Sequence, residues 1–282
     1  MQLYSDNNNI IVCDAHERQD AKVLTFFFTE YLICSGDNVP NPLKSFQKMG
    51  LHQELLDKLD LLRCKKPTPI EMKTLPIILE GRDLLAEKSF ENPNSHQLAY
   101  LICIMQSCII HQMVEDELES TDKRPPPYKP QAIIIVPSQK MAIEAMDAAK
   151  KLSDESSTKT AVGSLQMLKN AKIVISTPDQ LLKLVEKKKL NFENLKIIVV
   201  DGADQMLDEG LDSKIVHFCQ NKTMPAKGHK QMLMFSKTMP ISVMHFSHSF
   251  LKNNVFFTVN NFGSIDWRSL FKNTSFFHCI SR

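Results

Sequence analysis

The sequence predicts an α/β fold in which a parallel β-sheet carries helices on both faces. Six short apolar runs rich in β-branched residues recur along the chain, and they lack the alternation of a half-exposed strand. Uniformly apolar runs of this length fit strands that are buried on both sides. Helical patterns separate the runs, and strand–helix alternation predicts parallel strands between two helical layers.

The elements follow in order from residue 46, where the pattern becomes regular. A helix begins at Thr68 and Pro69, because threonine caps helices and proline suits the first turn. The predicted strands are residues 83–86, 132–136, 172–176, 196–200, 231–235 and 255–259. Other predicted helices include residues 139–152, 178–187 and 211–220, and a long apolar helix follows residue 95.

Composition and turn-rich segments of the sequence predict the domain organisation. The chain has 282 residues and is 43% hydrophobic, which suits one large or two small globular domains. We predict an N-terminal extension over residues 1–40, the α/β domain over 41–264 and a C-terminal tail over 265–282. The apolar run at 98–114 is interrupted by polar residues, so we expect a buried core helix and no membrane association.

Charge and cysteine usage restrict the class of protein. The formal charge is only +2, which does not by itself indicate nucleic-acid binding. The seven cysteines form no CxxC pair, and their odd number favours free thiols in a reducing compartment. No signal peptide is visible at the polar N-terminus. We therefore expect a cytoplasmic protein, with the nucleus as the alternative.

Ligands of open parallel sheets bind beyond the carboxyl ends of the strands, so the residues at those ends carry the functional signal. The first five strands are followed by "EKSFENPNS", "PSQKMA", "TPDQLL", "DGAD" and "SKTMP". In this order the segments resemble the motifs of the DEAD-box RNA helicases, within their first RecA-like, P-loop NTPase-type domain. The lead-in "SGDNVPNPLKSF" looks like that of the Vasa and Belle subgroup. The resemblance spans residues 35–264 and implies a family whose members use ATP, magnesium and RNA.

The phosphate-binding loop of the family, AxTGxGKT, aligns with residues 88–95. Glu91 and Pro93 replace its glycines, and Asn94 replaces its lysine. Glycines let successive N–H groups surround phosphate oxygens, and proline has no N–H to offer. Only Ser95 keeps the hydroxyl that would touch magnesium. We therefore expect a strand–helix connector at this position.

The adenine-reading motif is also altered. It begins at Thr68 and Pro69 and ends in Glu71, where the family has glutamine. A carboxylate only accepts hydrogen bonds, whereas an amide also donates. Phe46 matches the family's stacking aromatic, although we favour a core contact for it.

The DEAD motif reads Asp201-Gly202-Ala203-Asp204. The resemblance implies that Asp201 holds a magnesium ion through water and that Asp204 links to the third motif at Ser236 and Thr238. For both carboxylates we favour a structural role, at a strand end and as a helix cap, over this family role. Gly202 replaces the glutamate that activates water, so we predict no catalytic residue. Lys237 replaces a small alanine, which predicts that the link geometry is not maintained.

The RNA-facing motifs lose positive charge. Gln139 and Gln180 replace arginines and Asp179 replaces a glycine, while Lys140 compensates in part. The candidate RNA-binding residues are Pro137, Ser138, Gly163, Thr177 and Pro178. Because backbone contacts depend on cations and on N–H groups at helix starts, we expect weak RNA binding here. Thr177 is also expected to cap its helix.

Two further patterns favour a structural role over a binding site. His245 and His248 lack a nearby third ligand, so no metal site is predicted. The basic run at residues 185–190 is typical of a solvated helix end.

We therefore expect a degenerate helicase-like protein that neither hydrolyses ATP nor unwinds RNA. It would act as an adaptor for protein or RNA, in germline RNA regulation by analogy with Vasa, and would need no cofactor. The alternative is an ATP-dependent RNA helicase with a remodelled pocket that uses ATP and magnesium. A third hypothesis is an RNA-binding module without nucleotide. The oligomeric state is left open.

Overall fold

A twisted sheet flanked by helices forms the centre of the protein. The computed structural model describes residues 10–13, 31–35, 38–88, 95–117, 128–153, 160–162, 171–252 and 255–260. Its strands are β1 (Ile10–Cys13), β2 (Tyr31–Ser35), β3 (Leu84–Glu87), β4 (Ala132–Ile135), β5 (Thr160–Val162), β6 (Ile173–Ser176), β7 (Ile197–Asp201), β8 (Gln231–Ser236) and β9 (Val255–Asn260). Its α-helices are α1 (Gln53–Leu61), α2 (Pro69–Leu79), α3 (Ser95–Glu117), α4 (Gln139–Leu152), α5 (Pro178–Glu186), α6 (Ala203–Asp208), α7 (Asp212–Cys219) and α8 (Ile241–Phe250).

The sheet has the order β1-β2-β9-β3-β8-β7-β4-β6-β5 in the described part of the chain. From β9 to β5 neighbouring strands run parallel, as predicted. The six predicted strands are all present, with small shifts at their ends. The strands β1 and β2 lie within the predicted N-terminal extension and add an antiparallel edge through β9.

Both faces of the sheet are buried along β3, β4, β6, β7 and β8. Ala132 and Ile134 belong to one core cluster, with apolar residues of α1 to α4, whereas Ile133 and Ile135 belong to a second, with residues of α5 to α8. Successive side chains of a strand point to opposite faces, so each strand serves both cores. This explains why the runs showed no alternation in sequence.

The first part of the apolar helix α3 lies inside the protein, as predicted. Its residues from Ala99 to Met105 are almost entirely buried. None of the helices in the described ranges is long and apolar enough to cross a membrane.

The strand order gathers the motif-bearing segments at one edge, where β3, β8, β7, β4 and β6 end side by side. Hydrogen bonds continue beyond the strands. Lys88 N donates to Ser236 O at 2.8 Å, and Gly202 N donates to Phe235 O at 2.8 Å. The carboxyl edge is therefore one continuous surface, and we use that term for it below.

Candidate functional site

A buried carboxylate, that of Asp201, lies at the centre of the carboxyl edge. Asp201 ends β7 and is 2% exposed. Lys88 Nζ lies 2.5 Å from Oδ1, and His96 Nε2 lies 3.1 Å from Oδ1 and 3.2 Å from Oδ2. Tyr100 donates its hydroxyl to Oδ2 at 3.0 Å. Both carboxylate oxygens are therefore already engaged by side chains of the same chain.

This environment keeps Asp201 ionised. Burial alone would raise its pKa, but the adjacent His96 and Lys88 outweigh burial, and the pKa of Asp201 is lowered. Burial and the neighbouring carboxylate raise the pKa of Tyr100 well above its usual value, so this hydroxyl stays protonated and donates. Because an ionised carboxylate only accepts, the Nε2 atom of His96 carries the proton in this contact.

The fold delivers the three donors from two elements. Lys88 directly follows β3, and its side chain is only 13% exposed. His96 and Tyr100 lie in the first turns of α3 at a spacing of four, which places both on one face of the helix. Both rings pack against Phe235 of β8, with centroid distances of 5.4 and 5.6 Å. This cluster was not predicted from the sequence, although the i, i+4 pair at the start of α3 is a usable signal.

Gly202 has a backbone conformation that other residues rarely adopt. Its φ is 96° and its ψ is 47°, in the left-handed region. A Cβ atom added here would lie 3.2 Å from both Cγ and Cδ of Pro137. The position therefore lacks the family's glutamate and is also shaped around a glycine.

Asp204 keeps its link to the third motif. Thr238 N and Thr238 Oγ1 donate to Asp204 Oδ2 at 2.9 and 3.0 Å, and Asp204 N donates to Ser236 Oγ at 3.1 Å. Although burial opposes it, hydrogen bonding from Thr238 and neighbouring N–H groups lowers the pKa of Asp204. The expectation that Lys237 prevents this geometry was wrong, because the Lys237 side chain is exposed while its backbone N–H, like that of Thr238, donates to Asp204.

The side chains of the adenine-reading segment make their contacts within the protein itself. Thr68 N donates to Glu71 Oε2 at 2.8 Å and Glu71 N donates to Thr68 Oγ1 at 3.3 Å, which forms a capping box before Pro69. Glu71 is 2% exposed, and its burial raises its pKa despite these bonds. Phe46 is also 2% exposed and belongs to the core, so its ring is not presented for stacking.

The remaining motif residues of the carboxyl edge start helices. Ser138 caps α4 by accepting from Met141 N at 3.3 Å, and Pro178 begins α5. Thr177 is the N-cap residue of α5, as predicted, although its side chain makes no capping hydrogen bond. Asp179 pairs with Lys214 of α7 at 2.6 Å, which neutralises the charge it adds.

Several predicted positions fall outside the described residues, namely Glu91, Pro93 and Asn94 of the connector and Gly163. Ser95 begins α3 and is 5% exposed. His245 and His248 are exposed on α8. Within the described ranges, no three His, Cys, Asp or Glu side chains are grouped to hold a metal ion.

Comparison with known families decides the identity of this fold. The sequence model of the DEAD/DEAH box helicase family matches residues 98–246, which is more than half of the chain. The chain belongs to the DEAD/DEAH box helicase family. The predicted resemblance to the first RecA-like domain of DEAD-box proteins is thereby confirmed.

Individual relatives agree in fold and cover the same part of the family. DEAD-box ATP-dependent RNA helicase 52A of Oryza sativa subsp. japonica is 29% identical over 242 residues, which are 82% of this chain and 40% of that protein. Prp28 of Chaetomium thermophilum bound to ADP has a TM-score of 0.66 at 23% identity, covering 86% of this chain and 59% of that one. S. cerevisiae Dbp5 bound to Gle1 and IP6 has a TM-score of 0.63 at 22% identity, covering 78% and 54%. The chain therefore spans between two fifths and three fifths of these relatives.

Proposed function

We propose that this DEAD-box family protein binds a protein or RNA partner and neither hydrolyses ATP nor unwinds RNA. The observation that carries the proposal is the state of Asp201. A lysine, a histidine and a tyrosine of the same chain already take up both of its oxygens. Lys88 places a fixed positive charge beside the carboxylate that the family resemblance assigns to magnesium.

The residues present do not fit a magnesium nucleotide. Magnesium is bound through one or two carboxylates, several waters and substrate phosphates, in near-ideal octahedral geometry. An ion at Asp201 would have to displace the ammonium group of Lys88, which lies 2.5 Å away, or approach it against electrostatic repulsion. Either route opposes binding of the metal and of the phosphates that accompany it.

The sequence changes in the other motifs act in the same direction. Asn94 and Pro93 remove the lysine charge and an N–H group that would hold phosphates. Gly202 supplies no base for water, and Glu71 supplies no donor while it is ionised. No hydrolytic step can be derived from these side chains.

An intact fold with altered ligand positions supports an adaptor role. Both cores contain many fully buried apolar residues, so the changes are not those of a chain that has lost its structure. Dbp5 bound to Gle1 shows a family member in a protein complex. The proposal includes a protein or RNA partner, a role in germline RNA regulation by analogy with the Vasa subgroup, and a cytoplasmic location.

Phosphate release from ATP with RNA present tests the proposal. The matched control is Asp201→Asn, which removes the charge of the carboxylate and reports the background from contaminating enzymes. An intact DEAD-box protein serves as the positive control. We expect the protein and its Asp201→Asn variant to release phosphate at the same background rate. A rate that is higher in the unmodified protein, and is stimulated by RNA, would refute the proposal.

One observation favours a second candidate function. This function is that of an ATP-dependent RNA helicase with a remodelled pocket that uses ATP and magnesium. The hydrogen bonds that join Asp204 to Thr238 and Ser236 are intact. A helicase that retained coupling would lose RNA-stimulated hydrolysis in Thr238→Val, whereas an adaptor has none to lose.

A further inference from the structure

Lysines gather at the edge of the sheet opposite the carboxyl edge. The loops at residues 187–196 and 221–230 lead into β7 and β8 and contain seven lysines but one carboxylate, Glu193. These loops alone carry a formal charge of +6, whereas the whole chain carries +2. We call the surface of these two loops the lysine edge.

The lysine edge is held together by hydrogen bonds. Phe192 N donates to Thr223 Oγ1 at 3.1 Å, which ties one loop to the other. Lys196 N donates to Gln131 O and Lys196 O accepts from Gln231 N, both at 2.8 Å, so Lys196 lies between β4 and β8. The charges are therefore positioned on a rigid scaffold.

Most of these charges are not neutralised within the protein. The sole carboxylate of the loops, Glu193, pairs with Lys129 at 2.9 Å, and the next one along the chain is the exposed Glu186 at the end of α5. Lys227 and Lys230 donate to the backbone carbonyls of His248 and Pro225 and interact electrostatically with the buried carboxylate of Asp83. Five lysines of the two loops have side chains without an ion-pair or hydrogen-bond partner among the described residues. They are Lys187, Lys188, Lys189, Lys196 and Lys222.

Lys188 adds a conformational argument. It follows the end of α5 with a φ of 51°, and Lys188 N donates to Val185 O at 2.8 Å. Glycine is the usual residue for a left-handed position after a helix, because a Cβ atom is unfavourable there. The chain therefore has a lysine at a position where local stability favours glycine.

The chemistry of this surface fits phosphates better than a protein. The large exposed apolar side chains of the described residues are Leu61, Leu62, Ile110, Ile143 and Ile241, and none lies in these loops. Protein interfaces usually have apolar or aromatic anchors and are depleted in lysine. Lysines without anchors are typical of contacts to a nucleic-acid backbone that do not read sequence.

The carboxyl edge has no such excess of positive charge. Asp204, Asp208 and Glu209 follow β7 there, whereas Lys88, Lys140 and Lys237 follow β3, β4 and β8. We propose that the lysine edge binds the phosphate backbone of single-stranded nucleic acid without sequence preference. This surface lies at the amino-terminal ends of the strands, opposite the carboxyl edge that carries the family's RNA-facing motifs. The inference does not depend on the loss of ATP hydrolysis.

Binding of a fluorescein-labelled oligouridylate to the full chain tests this inference, with fluorescence anisotropy measured over a range of salt concentrations. The test variant is Lys196→Glu with Lys222→Glu. The control with the same charge change is Lys44→Glu with Lys48→Glu, at exposed positions outside both edges. Each phosphate contact on a single strand contributes about 0.7 to the slope of log K against log salt. We expect the test variant to bind roughly tenfold more weakly or worse, with a slope lower by about 1.4, and the control to bind like the unmodified protein.

A second variant guards against misfolding. Lys188→Gly removes one charge and relieves the left-handed backbone, so we expect weaker RNA binding together with an unchanged or higher melting temperature. A further variant, Lys140→Glu with Lys237→Glu, reports on the carboxyl edge.

Three results would overturn the inference. The first is no binding at low salt, and the second is a loss in the carboxyl-edge variant that exceeds the loss in the test variant. The third is equally strong competition by polyglutamate at matched charge, which would indicate an acidic protein as the partner.

Discussion

Replacing Lys88 with methionine should destabilise the protein strongly, although the residue lies beyond the end of its strand. The methionine keeps the length of the side chain and removes its charge. Asp201 would remain buried at 2% exposure with only His96 and Tyr100 to stabilise it. A buried charge that loses one partner is costly, because water cannot replace that partner.

The magnitude follows from the geometry. At 2.5 Å the gross attraction between Lys88 and Asp201 is about 7 kcal/mol for an effective dielectric constant of about 20. Desolvation offsets much of this value, and measured losses for breaking buried pairs are about 3–5 kcal/mol. Because His96 and Tyr100 remain, we expect a loss near 3 kcal/mol, which lowers the urea midpoint by roughly 1 M.

Urea unfolding followed by circular dichroism measures this loss in a double-mutant cycle with Asp201→Asn. The asparagine removes the buried charge, so Lys88→Met should cost much less in that background, with a coupling energy of about 2–3 kcal/mol. The pKa of Asp201 is lowered in the folded state, so its contribution is complete above the unfolded value near 4 and declines as the pH falls below it. The destabilisation caused by Lys88→Met should therefore shrink in acid. Equal midpoints for Lys88→Met and the unmodified protein, or additive effects in the cycle, would refute the reasoning.

Three further substitutions test other parts of the account. Gly202→Ala should lower stability by about 1–3 kcal/mol, because φ is 96° and the new Cβ would lie 3.2 Å from Pro137; an unchanged melting temperature would contradict this backbone geometry. Asp204→Asn should cost about 1–3 kcal/mol in urea unfolding, because it weakens both hydrogen bonds from Thr238; a neutral result would mean that the link is not formed. Glu71→Gln should raise the melting temperature more at pH 7 than at pH 4. The pKa of Glu71 is raised in the folded state, so the unmodified protein loses stability as the pH rises and the carboxylate ionises. Equal gains at both pH values would argue against that shift.

The sequence predicted the parallel sheet because its strands are buried on both faces, so uniformly apolar runs mark them clearly. It did not predict β5, which has three residues and too little pattern. It also missed β1 and β2, because β2 pairs antiparallel with the distant β9 and β1 pairs with β2. Register between remote segments is not encoded in local periodicity.

The order of motifs correctly brought Asp201, Asp204 and Ser236 to one edge, since parallel strands end together. The contacts of Asp201 were not predictable in the same way. His96 lies 105 residues from Asp201 in sequence, and the direction of a lysine side chain after a strand follows from packing. The motif comparison identified what was lost at Asn94 and Gly202, but not that Lys88 and His96 had occupied the space around the carboxylate.

Titration of the full chain with fluorescent ATP and ADP in the presence of magnesium tests the central claim most directly, beside an intact DEAD-box domain as reference. The account predicts no saturable binding up to millimolar nucleotide, because Asp201 is engaged by Lys88 and the phosphate loop lacks its lysine. Saturable, magnesium-dependent binding in the micromolar range would contradict it. In that case Lys88 would have to leave Asp201 when nucleotide binds, and the protein would have to be regarded as a nucleotide-binding member of its family.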